Sequence, residues 1–195
     1  MKLRRPAART LAGMALLPCL LAPAGAVFTA VPVSLLGAAS ITLQVGTATA
    51  GSIDNLVFDV TGTRVMPSAT PISNATSVPV RVVTSRTALA YLGATVRVTV
   101  DSSGGLVCVG GSGCGSTIIP FSSISWVSTN PDASGEDVQS GAFTGSTAQV
   151  IAQFTQNSLL EARGFSNQLL FTYANSTVYP AGQYKGRVVF TATML

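Results

Sequence analysis

The sequence predicts an all-β fold, an antiparallel β-sandwich, on three observations. Short stretches in which apolar and polar residues alternate recur from about residue 40 to the end of the chain. Val and Thr dominate those stretches, and clusters of Gly, Pro, Ser and Asn separate them. No long helical period runs through the same region.

The strongest stretch closes the chain. After Pro180-Ala181-Gly182, the residues Val188, Phe190, Ala192 and Met194 fall on one face and Arg187, Val189, Thr191 and Thr193 on the other. A terminus that keeps so strict a pattern is expected inside a sheet, because loose ends fray.

Ahead of the sandwich stands a different kind of sequence. Lys2 to Thr10 is basic, Leu11 to Leu21 is apolar, and Ala24-Gly25-Ala26 gives an Ala-x-Ala cleavage site. That order is the order of a secretory signal peptide. The apolar run is interrupted by Pro18 and is too short for a membrane anchor, which needs about 20 residues. We therefore expect residues 1–26 to be a signal peptide, with cleavage as late as Ala39 as the alternative, and residues 40–195 to form one sandwich domain with no transmembrane segment. The protein is expected to be exported, to the periplasm, a cell surface, a fimbrium or the medium.

Charge supports the division. The chain carries a formal +4, yet Lys2, Arg4, Arg5 and Arg9 all lie in the leader, leaving seven basic against seven acidic residues. With the body neutral we see no phosphate-binding patch, and no nucleic-acid partner is expected. Charged residues are 9% of the chain, so Ser, Thr, Asn and Gln must carry its solubility.

Taken in order, Ser40 to Val45 alternates with Ile41, Leu43 and Val45 on one face. Ile53 to Val60 is a second candidate strand, with Leu56, Phe58 and Val60 inward. Residues 62–77 hold Pro67 and Pro71 and read as an irregular connection. Val78 to Thr84 and Ala94 to Val100 are strands, the second with Ala94, Val96, Val98 and Val100 inward. Ile118 to Ser128 carries Ile119 and Phe121, then Ile124 and Trp126 after a shift at Ser122-Ser123. The lone Trp is read as a core anchor. Ala148 to Phe154 places Ala148, Val150, Ala152 and Phe154 on one face, Ser158 to Arg163 reads as a short helical turn, and Leu169, Phe171 and Tyr173 share a face of the next strand. That gives about seven to eight strands and an immunoglobulin-like layout. An outer-membrane barrel is the alternative, disfavoured by the 7% aromatic content.

Of three cysteines, Cys19 leaves with the leader, and the pair Cys108 and Cys114 in an exported chain reads as a structural disulfide. So short a loop gives a modest gain, about 2 kcal/mol. Two thiols without histidine make a poor zinc site.

The terminal stretch resembles the chaperone–usher pilins, including the spore-coat-U-like branch. The matching residues are Pro180, Ala181, Gly182 and Tyr184, followed by Val188, Phe190, Ala192 and Met194, with Gly182 fourteenth from the end. Met194 stands where such pilins usually have Tyr, and the two cysteines are too close together to bridge distant strands. The resemblance implies assembly by strand donation, with like subunits or a periplasmic chaperone as protein partners. It makes Ser40 to Val45 the donor segment, through Ile41, Leu43 and Val45, and sets the terminal strand beside the receiving groove. The alternative is that Ser40 to Val45 pairs within its own domain.

Catalytic groups are scarce. The chain has no histidine, which removes Ser-His-Asp and Cys-His arrangements and the commonest metal ligand. Asp132, Glu136 and Asp137 form the one acidic cluster; it is read as a solvated turn rather than a calcium loop, whose ligand spacing it lacks. Asn74-Ala75-Thr76 and Asn175-Ser176-Thr177 match the glycosylation triplet, a frequent chance match. No cofactor, no metal and no enzymatic activity are expected. Two functions follow: a pilin-like structural or adhesive surface subunit, or a self-contained binding module for glycan or protein. The second expects Tyr91, Tyr173, Tyr179 and Tyr184 to stand exposed on one face.

Overall fold

The computed structural model describes residues 39–47, 56–74, 76–86, 93–157 and 162–195. The expected leader, Ile53 to Asn55, Tyr91 and residues 158–161 of the expected helical turn lie outside the described residues. Within them the chain is all-β and antiparallel, and the helical segments are two 3-10 turns at Gly62–Val65 and Phe121–Ser123. No helix of the described residues is long and apolar enough to cross a membrane.

In chain order the strands are β1 (Ala39–Val45), β2 (Ile72–Ser73), β3 (Val78–Arg86), β4 (Ala94–Asp101), β5 (Leu106–Cys108), β6 (Ile118–Ile119), β7 (Ile124–Thr129), β8 (Gly141–Ala142), β9 (Gln149–Gln156), β10 (Arg163–Tyr173), β11 (Tyr184–Lys185) and β12 (Val189–Met194). The larger sheet runs β1-β3-β10-β7-β8, with β2 also on β10; the facing sheet runs β12-β4-β9; a small third sheet runs β11-β5-β6. The excess over the expected count comes from pieces of two or three residues, too short to show a period.

The period-two pattern puts the core between the two main sheets. Val80 and Val82 of β3, Val96, Val98 and Val100 of β4, Ile124 and Trp126 of β7, and Leu169, Phe171 and Tyr173 of β10 are all buried. Phe154 of β9 meets Phe165 of β10 edge to face at 6.2 Å, a contact across the layers. Trp126 is the anchor expected, its indole N–H donating to the Gln139 carbonyl at 2.8 Å. The shift at Ser122-Ser123 is the 3-10 turn, which lets Phe121 and Ile124 both point inward.

Three expectations are corrected. Val150 is exposed rather than inward. The β4–β9 register pairs Val98 with Ala152 but Thr99 with Val150, so Ile151 is an extra residue in a bulge and turns inward in its place. Leu56 to Val60 forms no strand: it has no ladder partner, and Phe58 rests on Tyr173 at the end of the core. Arg163 opens β10 instead of closing a helical turn, because it faces Thr84 across the β3–β10 ladder.

Two buried amides fasten the loops. Asn167 accepts the Val138 N–H at 3.2 Å and donates to Asp137 at 2.7 Å. Asn175 is buried and donates to the carbonyls of Arg64 at 2.7 Å and Met66 at 3.0 Å. An amide so engaged is not a surface glycosylation acceptor.

Candidate functional site

The terminal stretch is divided in two. Tyr184 and Lys185 pair with Cys108 and Val107 as β11, while Val189 to Met194 pair with β4 as β12. Gly186 makes the crossing between the two sheets. A Cβ there would lie 2.3 Å from the Gly105 carbonyl oxygen and 2.7 Å from the Phe121 ring, so no other residue fits without displacing backbone. Past the crossing, Val188, Phe190, Ala192 and Met194 are half-buried against the core, on the face the alternation gives them.

The ladder also says where the backbone of β12 points. Leu195 and Thr95 exchange both N–H···O bonds, each at 2.9 Å. In an antiparallel pair such exchanges alternate along the strand, so Thr193, Thr191 and Val189 also direct their polar groups to β4. The N–H and C=O groups of Phe190, Ala192 and Met194 then point away from β4, toward the edge of the sheet. The same accounting applies to β1. Gly46 donates to the Pro79 carbonyl at 2.7 Å, which places Gln44, Thr42 and Ser40 in the bonded positions opposite β3. The backbone groups of Ile41, Leu43 and Val45 therefore point away from β3.

Ile41 and Val45 are buried and Leu43 is half-buried against the core. The expected donor segment thus pairs in register with β3 of its own chain, as the alternative held. β1 and β12 are the edge strands of facing sheets, and their Cα atoms come within 8 Å of each other, yet no ladder joins them. Among the described residues, the result is one side of the sandwich edged by two rows of backbone polar groups with no ladder partner, above half-buried Leu43, Phe190, Ala192 and Met194. Such an edge is a template for another strand. No Pro, Lys, Arg, Asp or Glu interrupts Val188 to Leu195, so β12 lacks the usual side-chain devices that blunt an edge.

Cys108 and Cys114 form the expected disulfide. Its loop lies under the terminal segment, and a Cβ on Gly182 would fall 2.5 Å from the Cys114 Sγ. Tyr184 donates its hydroxyl to the Pro180 carbonyl at 2.8 Å and closes the turn. Among the described residues, the tyrosines do not stand out as a platform: Tyr173 is buried, and Tyr179 and Tyr184 are half-buried against the core. Burial pushes the Tyr173 phenol above its ordinary value, and Tyr179 and Tyr184 add to the effect.

The acidic cluster is engaged internally. Asp137 is buried and accepts from the Asp132 N–H at 2.9 Å and from Asn167 at 2.7 Å. Glu136 pairs with Arg163, whose guanidinium sits 5.1 Å from the centre of the Phe154 ring. The Ser134 hydroxyl and N–H hold Asp132 below the usual carboxylate range. Among the described residues no three Cys, Asp or Glu side chains gather as a metal site would need.

Two contributors carried no legible signal. Phe143 lies between Gly141 and Gly145 in a stretch with no period, yet it is buried against Trp126, Phe171 and Phe121. Ser112 reads as one more loop serine, yet its hydroxyl lies at the centre of the disulfide loop. No protein-family model, no curated protein and no solved structure matches this chain.

Proposed function

We propose that this is an exported, non-catalytic structural or adhesive subunit that joins like subunits by exchanging β1. The observation that carries the reading is the open side between β1 and β12. A guest strand bonded to both would need them about 9–10 Å apart, two inter-strand spacings. Their Cα atoms already come within 8 Å. Addition at this side is therefore replacement: β1 leaves β3, and the β1 of another copy takes its place. The swap conserves every contact of Ile41, Leu43 and Val45, so its equilibrium cost is confined to the connecting chain and to association. Left without a partner, β1 would expose two buried side chains, each worth about 1.5–3 kcal/mol. A detached β1 thus needs an acceptor, which is the role of a like subunit or of a chaperone in the periplasm. The signal-peptide pattern, the neutral body and the absence of histidine support export and a role without bond-making.

The test uses Ser40 and Ser85, a bonded pair on the outer face of the larger sheet with hydroxyls 2.7 Å apart. Chains carrying Ser40→Cys and chains carrying Ser85→Cys, without the leader, are refolded together and oxidised. Exchange predicts disulfide-linked dimers on a non-reducing gel. Monomers alone, with the double variant closing only within one chain, would refute it.

A self-contained binding module is the second reading. It is favoured by the pairing of β1 with β3 of its own chain, which leaves the larger sheet complete. The inward tyrosines argue against an aromatic platform as its binding face.

A further inference from the structure

The disulfide loop does more than close on itself. The Val109 N–H donates to the Gln183 carbonyl at 2.7 Å, and the Gln183 N–H donates to the Ser112 Oγ at 3.1 Å. The Ser112 hydroxyl lies 2.7 Å from the Val109 carbonyl oxygen, 3.1 Å from the Cys114 Sγ and 3.6 Å from the Cys108 Sγ. Tyr184 sits opposite Cys108 itself. Gly182 fits only because it has no Cβ, pressed on the Cys114 sulfur. Cys114 is 2% exposed, whereas Cys108 is half-buried and within reach of a reductant. Lys185 is the last residue of β11, and β12 begins at Val189.

We infer that the Cys108–Cys114 bridge is a redox-sensitive clamp on the terminal segment: closed, it seats Gly182 to Lys185 and fixes where the edge strand β12 begins; open, it releases that segment while the core holds. In the opening step a dithiol supplies two electrons and two protons, the bridge becomes two thiols, and the dithiol leaves as its own cyclic disulfide. Bonded sulfurs lie about 2 Å apart, and unbonded heavy atoms settle nearer 3.5–4 Å. The extra room has to come from Gly182 and Gln183, which pack on the inner sulfur. The small sheet then loses β11, but Phe190 to Leu195 keep their ladder with β4. The inference does not depend on β1 exchange. It links the seating of the edge strand β12 to an oxidising compartment.

The readout is tryptic cleavage after Lys185, which is held in β11 beside Val107 and followed by Gly186 seated on Gly105. Three forms are compared with the oxidised chain: reduced and alkylated protein, the Cys108→Ser, Cys114→Ser double variant, and Gly182→Ala with the bridge intact. Cleavage after Lys185 is expected to rise at least tenfold in the first two and to rise also in Gly182→Ala. Cleavage after Arg81 and Arg97, in the interior strands β3 and β4, stays unchanged. Equal rates at Lys185 in the closed and open forms would overturn the inference. So would a matching rise at Arg81 and Arg97, which would mean that the whole sandwich loosens.

Discussion

On one side of the sandwich the chain itself crosses between the sheets, from β8 to β9, and on the other β1 and β12 lie side by side with no crossing. The crossing side is filled and bonded. Phe143 enters the core, its ring stacked 5.9 Å from Phe171 and tilted 5.0 Å from Trp126, and its N–H donates to the Ile124 carbonyl at 3.1 Å. Gln149 ties the two ends together by donating to the Ala142 carbonyl at 2.8 Å and accepting the Thr144 N–H at 2.9 Å. The Ser102 N–H adds a bond to the Ser146 carbonyl at 3.0 Å. Among the described residues, the open side has none of this. Its residues Leu43, Phe190, Ala192 and Met194 are half-buried, and its outward backbone groups face the edge. The difference follows from connectivity. A side spanned by a loop can bring its own plug and its own hydrogen bonds, whereas β1 and β12, joined by no described segment, meet through side-chain contact alone.

The largest effect expected tests the filling. Phe143→Ala removes a buried ring between three aromatic neighbours and should cost about 3–5 kcal/mol in urea unfolding. Phe190→Ala, on the open side, should cost roughly 1–2 kcal/mol, because its ring is only half withdrawn from water. Equal losses would break the comparison, since they would mean that the open side is as well packed as the closed one.

A smaller effect concerns pH and belongs to the end of the core, where Tyr173 meets Phe58. The Tyr173 phenol is raised above its ordinary value of 10.0, so folding favours the protonated form. The stability it contributes is complete below pH 10 and is lost as pH climbs through the raised value. The melting temperature should hold steady to about pH 9 and fall above pH 10, with a shallower fall in Tyr173→Phe. An identical fall in the variant would place the alkaline weakness elsewhere.

How much of this was legible follows the physics of each element. β4 showed its inward set in full, Ala94, Val96, Val98 and Val100, because a strand with one face in the core has a strict period of two. The inward set of β12 was legible for the same reason. The bulge at Ile151 was not: one inserted residue leaves every neighbour apolar and shifts only the phase. β11 was read as one piece with β12, because the break at Gly186 depends on Gly105 lying beneath it, a contact 81 positions away in the chain. Phe143 and Ser112 were invisible because their roles come from loop packing, which has no period. The disulfide pair was evident from its count and from the leader-like sequence ahead of it, but its position under Gly182 was not.

The most direct measurement is residue-resolved amide hydrogen exchange along the last strand, before and after assembly. In the isolated chain, Thr191, Thr193 and Leu195 should be protected by β4 while Phe190, Ala192 and Met194 exchange quickly. On association by exchange, those three amides should stay as fast as before, because the incoming β1 takes the place of the departing one beside β3 and makes no ladder with β12. Protection of all six in the isolated chain, or a gain at Phe190, Ala192 and Met194 in the assembled form, which would mean a strand added to β12 rather than exchanged at β3, would contradict the account.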